Sequence, residues 1–152
     1  MTDVPSIVYE LALRSLDQQE RELAELRSRT NTVIAAAALI ASFLGAAAIR
    51  EHSGLDALGI LALVVLVITG GLSLYVLWPR ELRFAIDARA TYEDLYPLLD
   101  DPAEAQLRVA YGARDRYTHN KTSIDQLELA FQAAVLMLGA QTVLWALALA
   151  VS

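Results

Sequence analysis

Residues 30–49 read TNTVIAAAALIASFLGAAAI, twenty consecutive positions without an Asp, Glu, Lys or Arg. A helix needs about 20 apolar residues to cross the ~30 Å hydrocarbon core of a bilayer, so this run predicts a span. Two further runs, ALGILALVVLVITGGLSLYVLWP at 57–79 and LAFQAAVLMLGAQTVLWALALAVS at 129–152, are equally free of charge. The expected fold class is all-α: an integral membrane protein with three transmembrane helices and a cytoplasmic helical extension. With 56% apolar and 20% charged residues and a net charge of -6, the composition alone would suit a soluble domain; the segregation of the charge argues against one. The polar remainder, about 30 residues before the first run and about 45 between the second and third, is too small for a separate catalytic domain with a large core. Secreted enzymes, Rossmann folds and soluble nucleic-acid-binding modules are thereby disfavoured.

The chain has no cysteine, which removes disulfides, thiolate chemistry, iron–sulfur clusters and Cys-ligated zinc from the monomer. His52 and His119 stand in different polar segments and form no local metal motif. The first apolar run follows an acidic, helix-forming leader and is long enough to stay in the membrane, so a cleaved signal peptide is not expected.

Charge sets the expected topology. Arg14, Arg21, Arg27 and Arg29 precede the first span, Arg80 to Lys121 hold seven more basic residues between the second and third, and only Arg50 lies in the turn 50–56. Eleven against one is a strong positive-inside bias, placing the N-terminus and the middle segment in the cytoplasm and the C-terminus outside a bacterial inner membrane. The cytoplasmic side is nevertheless rich in Asp and Glu, so no nucleic-acid polymer is expected as a partner beyond what local arginines allow.

Six segments follow. Residues 6–30 predict an amphipathic cytoplasmic helix: Leu16, Leu23 and Thr30 recur at seven, as do Gln19, Leu26 and Val33, with charge on the other faces. Its leucine stripe requires a partner, either the middle segment of the same chain or a second copy in a coiled coil. Residues 31–49 form the first transmembrane helix, with Ala37, Ala41 and Gly45 at intervals of four, a stripe that permits close helix approach in lipid. An external turn at 50–56 leads to a second span at 57–79, which ends in the interfacial aromatics Tyr75 and Trp78. A helical cytoplasmic segment covers 80–124, broken around Pro97 to Pro102. There Asp101 predicts an N-cap, with Pro102 first in the helix and Glu104 completing a capping box. The third span, 125–151, is expected to continue that cytoplasmic helix without a break.

Arg80, Arg83, Tyr111, Arg114, Tyr117 and Lys121 are the candidate ligand contacts, because arginines, lysine and tyrosines on packed helices can clamp a phosphate and stack a base. Tyr117, Lys121, Ile124 and Glu128 are spaced like one helical face, and Tyr111, Arg114 or Asp115, and Thr118 like another. The ordinary alternative is a basic cluster that topology alone demands. An Arg–carboxylate clamp of Arg80 and Arg83 with Asp125 and Glu128 is a further expectation. Away from their ends the spans hold no Asp, Glu, Lys, Arg or His, which disfavours a proton pump or charge-coupled transporter; Gln132, Gln141 and Thr142 suit interhelical hydrogen bonds, with pore lining as the alternative. No GxSxG, HExxH, Walker or dinucleotide-binding glycine motif occurs, so neither an enzyme nor a cofactor is expected.

The order of segments, from LRSRTNTVIAAAALIASFLG through LSLYVLWPRELRF and YEDLY to ARDRYTHNKTSIDQLELAFQAAVLML, resembles the small bacterial membrane proteins grouped as Pycsar effectors. Pro79 and Arg80 match the Pro-Arg that closes the second span there, and Tyr117 with Lys121 resembles the pattern before the last span. Arg29 to Thr32, RTNT, departs from the acidic and lysine residues usual beside the first span. The resemblance implies a membrane effector activated by a cyclic nucleotide, which impairs the inner membrane in anti-phage defence. The expected partners are the lipid bilayer, further copies in a homo-oligomer and a cyclic nucleotide. A non-enzymatic adaptor that recruits a cytoplasmic protein, and a small homo-oligomeric channel, are the alternatives.

Overall fold

The computed structural model describes residues 4–52, 57–80, 82, 96 and 101–151; of residues 48, 49, 51 and 52 only the backbone is described. Three long helices carry the fold: α1 (Val4–His52), α2 (Ala57–Leu77) and α3 (Pro102–Ala150). All three are long and apolar enough to cross a membrane, and no strand occurs among the described residues. The amphipathic leader flows into the first span without interruption, because no glycine or proline falls between Ser6 and Phe43 to break the ladder.

One expected boundary shifts, and one expected segment falls only in part within the described residues. Residues 50–52 of the turn at 50–56 are still helical, and the rest of that turn lies outside the described residues. Of the segment expected at 80–124, residues 102–124 are helical, whereas 81, 83–95 and 97–100 lie outside the described residues.

α3 begins as a capping box begins. The Glu104 backbone N–H donates to Asp101 Oδ1 at 3.1 Å, and the Ala105 N–H to the Asp101 carbonyl at 3.1 Å. A carboxylate at this position satisfies an otherwise orphaned donor and faces the positive end of the helix. Asp101→Ala is therefore expected to cost about 1 kcal/mol of stability, seen as a lower thermal midpoint in detergent, while Asp101→Ser stays close to wild type.

Burial along α1 and α3 follows a seven-residue pattern. In α1 the protected positions run Leu16, Gln19, Leu23, Leu26, Thr30, Val33, Ala37, Ile40 and Leu44, alternating steps of three and four. In α3 the same alternation passes through Ala110, Ala113, Tyr117, Asn120, Ile124, Leu127, Phe131, Ala134, Leu138, Gln141, Trp145 and Ala148. Such spacing keeps one seam on one side of a slightly underwound helix.

The chain divides into two compact units. One comprises Met1–Ala24 and Arg80–Asp125, the other Glu25–Pro79 and Gln126–Ser152. The core of the second unit centres on Ala62 of α2 and Trp145 of α3, with Ile40, Leu44, Leu144 and Leu149 packed against them. Its buried residues are mostly small, Ala37, Gly45, Gly59, Ala62, Ala134 and Ala148 among them, whereas Leu39, Phe43, Val67, Leu74, Leu129 and Leu136 face outward. This polarity is what lipid demands: bulky apolar groups toward the acyl chains, small residues where helices meet.

Candidate functional site

In the first unit, Leu16 and Leu23 of α1 and Ala110, Ala113 and Ile124 of α3 are buried. Between them lie two buried amides. Gln19 Nε2 donates to the Tyr117 carbonyl at 3.1 Å, while Gln19 Oε1 is buried with no hydrogen-bond partner. Asn120, one seam step beyond Tyr117, is fully buried. The leucine stripe thus has a counterpart within the same chain. Polar groups at seam positions fix register at a cost in stability.

The candidate ligand contacts separate. Tyr111, Arg114 and Lys121 are exposed on α3. Tyr117 is half-buried at the seam and Arg80 half-buried after α2; Arg83 lies outside the described residues. The expected face of Tyr117, Lys121, Ile124 and Glu128 therefore divides in two: Tyr117 and Ile124 turn into the seam, Lys121 and Glu128 outward. A step of four moves a side chain by 400°, or 40° past a full turn, enough to carry alternate members onto the flank. Arg114 and Lys121 are seven residues apart on that flank, with Tyr111 three before Arg114. Beside them Asp115, Arg116, Thr118 and His119 line a shallow, open depression of about 270 Å³. The outward side of α3 thus offers two cations and an aromatic ring on an open surface. Among the described residues no group of His, Asp and Glu could hold a metal ion.

The second unit holds a polar constellation of its own. Gln141 Nε2 of α3 donates to the Ala37 carbonyl of α1 at 3.2 Å, an interhelical bond of the kind expected for this residue. The other two polar residues of that group bond within their own helix, Thr142 Oγ1 to the Leu138 carbonyl at 2.8 Å and Gln132 Nε2 to Glu128 Oε1 at 3.4 Å. Side-chain groups only three to four residues from an acceptor find it locally before they find another helix. On α2, Thr69 Oγ1 donates to the Val65 carbonyl at 2.9 Å. Ser73 Oγ, Gln141 Oε1 and Trp145 Nε1 are buried without a partner.

The small-residue stripe also acquires its partner. The Trp145 ring lies against Gly45, where a β-carbon would stand 3.2 Å from ring carbons Cη2 and Cζ2. The tryptophan occupies the space that the missing side chain leaves. Neither Trp145 nor the buried amide Asn120 was singled out by pattern. Counting back from Ile124 in steps of four and three finds Asn120, but the apolar surroundings of Trp145 give no phase from which to count.

No known protein family, characterised protein or solved structure shows significant similarity to this chain.

Proposed function

We propose that the protein is a signal-responsive effector of a bacterial inner membrane, with its N-terminus and first unit in the cytoplasm and its C-terminus outside. In this reading a soluble ligand, with a cyclic nucleotide as first candidate, changes the packing of α1 against α3 and so impairs the bilayer, as an anti-phage effector would. The eleven-to-one distribution of basic residues supports the orientation.

One observation carries the proposal: Ser73 Oγ, Gln141 Oε1 and Trp145 Nε1 are buried without partners in the unit that holds the spans. With no water to pair with, each such group costs several kcal/mol in lipid. That cost weighs against this packing relative to any in which those groups meet water or one another. A ligand that binds the two packings unequally then shifts the balance between them. Tyr111, Arg114 and Lys121 are the receiving surface, and the resemblance noted above supplies the ligand class.

The test is dye release from liposomes containing the purified protein, across a panel of cyclic mononucleotides. Release is expected with one nucleotide, baseline release without it, and loss of the response in the Arg114→Ala/Lys121→Ala double variant. Intact vesicles with nucleotide demonstrably bound would overturn the proposal. The adaptor reading has one observation in its favour: Val4, Ile7, Val8 and Leu11 form an exposed apolar stripe on α1 in the first unit. A co-purifying cytoplasmic protein that leaves permeability unchanged would favour it. Release without any ligand would favour a constitutive channel.

A further inference from the structure

Arg27 is the one arginine of α1 that is not exposed. It stands three residues before the charge-free run at 30–49 and forms, with Ile34 and Ala41, a half-buried flank at steps of seven. Packing along that flank closes off its Nε, which is buried without a hydrogen-bond partner. Nη1 and Nη2 are not so enclosed, so the guanidinium is held by its stem and presents its far edge outward. Among the described residues no carboxylate compensates this charge. Glu25, two residues earlier, pairs with Arg29, and Glu128 of α3 accepts from Gln132 Nε2. A guanidinium has donors only, and one taken partly out of water without a counter-ion calls for an anion.

The depth of Arg27 says which anion. Within the second unit, Ala62 of α2 shares a core cluster with Ile40 and Leu44 of α1. Only four residues separate α1 from α2, so α2 runs back antiparallel to α1. Trp78 stands ~24 Å beyond Ala62, and Arg27 ~25 Å back from Leu44, at 1.5 Å per helical residue. The two therefore lie within a turn of one level. Trp78 is 68% exposed and Tyr75, one turn deeper, 44%. Exposed aromatics at the end of an apolar helix mark the zone where acyl chains give way to headgroups. The anion concentrated in that zone is the phosphodiester of a phospholipid.

We propose that Arg27 seats the phosphate of one anionic phospholipid, with Nη1 and Nη2 donating end-on to two phosphate oxygens. Arginine suits this role because its two terminal nitrogens match a pair of phosphate oxygens, and because packing has already fixed the stem. The lipid is one of net negative charge, since a zwitterionic headgroup brings a cation of its own to the phosphate. The seat lies in the second unit, apart from Tyr111, Arg114 and Lys121 of the first. It requires only that the helices cross a bilayer; neither their orientation nor a nucleotide enters.

The test extracts the full-length protein in mild detergent from bilayers of equal phosphatidylglycerol and phosphatidylcholine, and identifies the lipid that stays bound by mass spectrometry. Wild type is expected to retain phosphatidylglycerol over phosphatidylcholine by about fivefold or more, and Arg27→Gln to retain the two almost equally. Arg27 Nε has no partner to lose, so the lipid-free thermal midpoint of Arg27→Gln should match wild type, which separates loss of the seat from loss of the fold. Arg27→Lys keeps the charge without the fork and should hold an intermediate preference. Arg29→Gln removes an equal charge two residues away and should keep the wild-type preference. Equal retention of both lipids by wild type, or an undiminished preference in Arg27→Gln, would overturn the proposal. So would an equal loss in Arg29→Gln, which would mean diffuse attraction of anionic lipid to a positive surface. Inorganic phosphate in excess should leave the lipid bound; its complete displacement would assign Arg27 to a soluble phosphate and overturn the lipid seat.

Discussion

Trp145→Ala lowers the stability of the folded helices by about 3 kcal/mol, read as a shift in the midpoint of detergent-induced unfolding. In lipid the usual transfer contribution is small, because acyl chains are as apolar as the ring. What is lost is contact. Trp145 is 1% exposed and packs with Ala62, Ile40 and Leu44 of the other two helices, so truncation opens a void that none of them can fill. The same site penalises addition. Gly45→Val places methyl groups inside the 3.2 Å clearance to the tryptophan ring and should cost about 1–3 kcal/mol. In a Trp145→Ala background the valine has room, so the two effects should fail to add by at least 1 kcal/mol. Additive effects would mean that Gly45 and Trp145 are not in contact.

Ala37→Arg should abolish stable folding of the second unit, while Leu39→Ala two residues away stays within about 0.5 kcal/mol of wild type. Ala37 is 3% exposed near the middle of the 30–49 run, and its carbonyl accepts the bond from Gln141. Arginine there brings an unpaired charge into a site with no carboxylate nearby, where insertion alone is penalised by about 3 kcal/mol and the volume adds more. Leu39 is 58% exposed, and its truncation exchanges one lipid contact for another. The comparison is made by carbonate-resistant membrane content and helical signal in detergent. Folding of Ala37→Arg at wild-type levels would show that this side of α1 faces away from α3.

The three spans were legible because charge is absent over whole helix lengths, and the start of α3 because Asp101, Pro102 and Glu104 each have one good position at a helix N-terminus. Phase within the spans was not. Periodicity is visible only where one side of a helix differs from the other, and in LAFQAAVLMLGAQTVLWALALAVS both sides are apolar. So the stripe Ala37, Ala41, Gly45 could be read as a packing surface while its partner Trp145 could not. In the candidate site the reverse held. Spacing put Lys121 on one face with Tyr117 and Ile124, and Arg114 on another with Tyr111; in the structure Lys121 and Arg114 are both exposed, while Tyr117 turns inward. Tyrosine carries both an apolar ring and a hydroxyl, so composition did not decide which way it faces. Gln19 belongs to a seven-residue recurrence with Leu26 and Val33, and that recurrence is the signal of its burial.

The uninterrupted alternation of threes and fours in α1 and α3 restricts how these helices can change in length. Deleting one residue from either rotates everything beyond it by about 100° and brings a different set of side chains to the seam. Removing seven leaves the phase nearly intact, and three or four can be absorbed only as a local change of winding. Divergent descendants of this chain would thus vary freely in the letters on the outside of each helix but inherit its length in quanta, as a text that tolerates misspelling but not a shift of the reading frame.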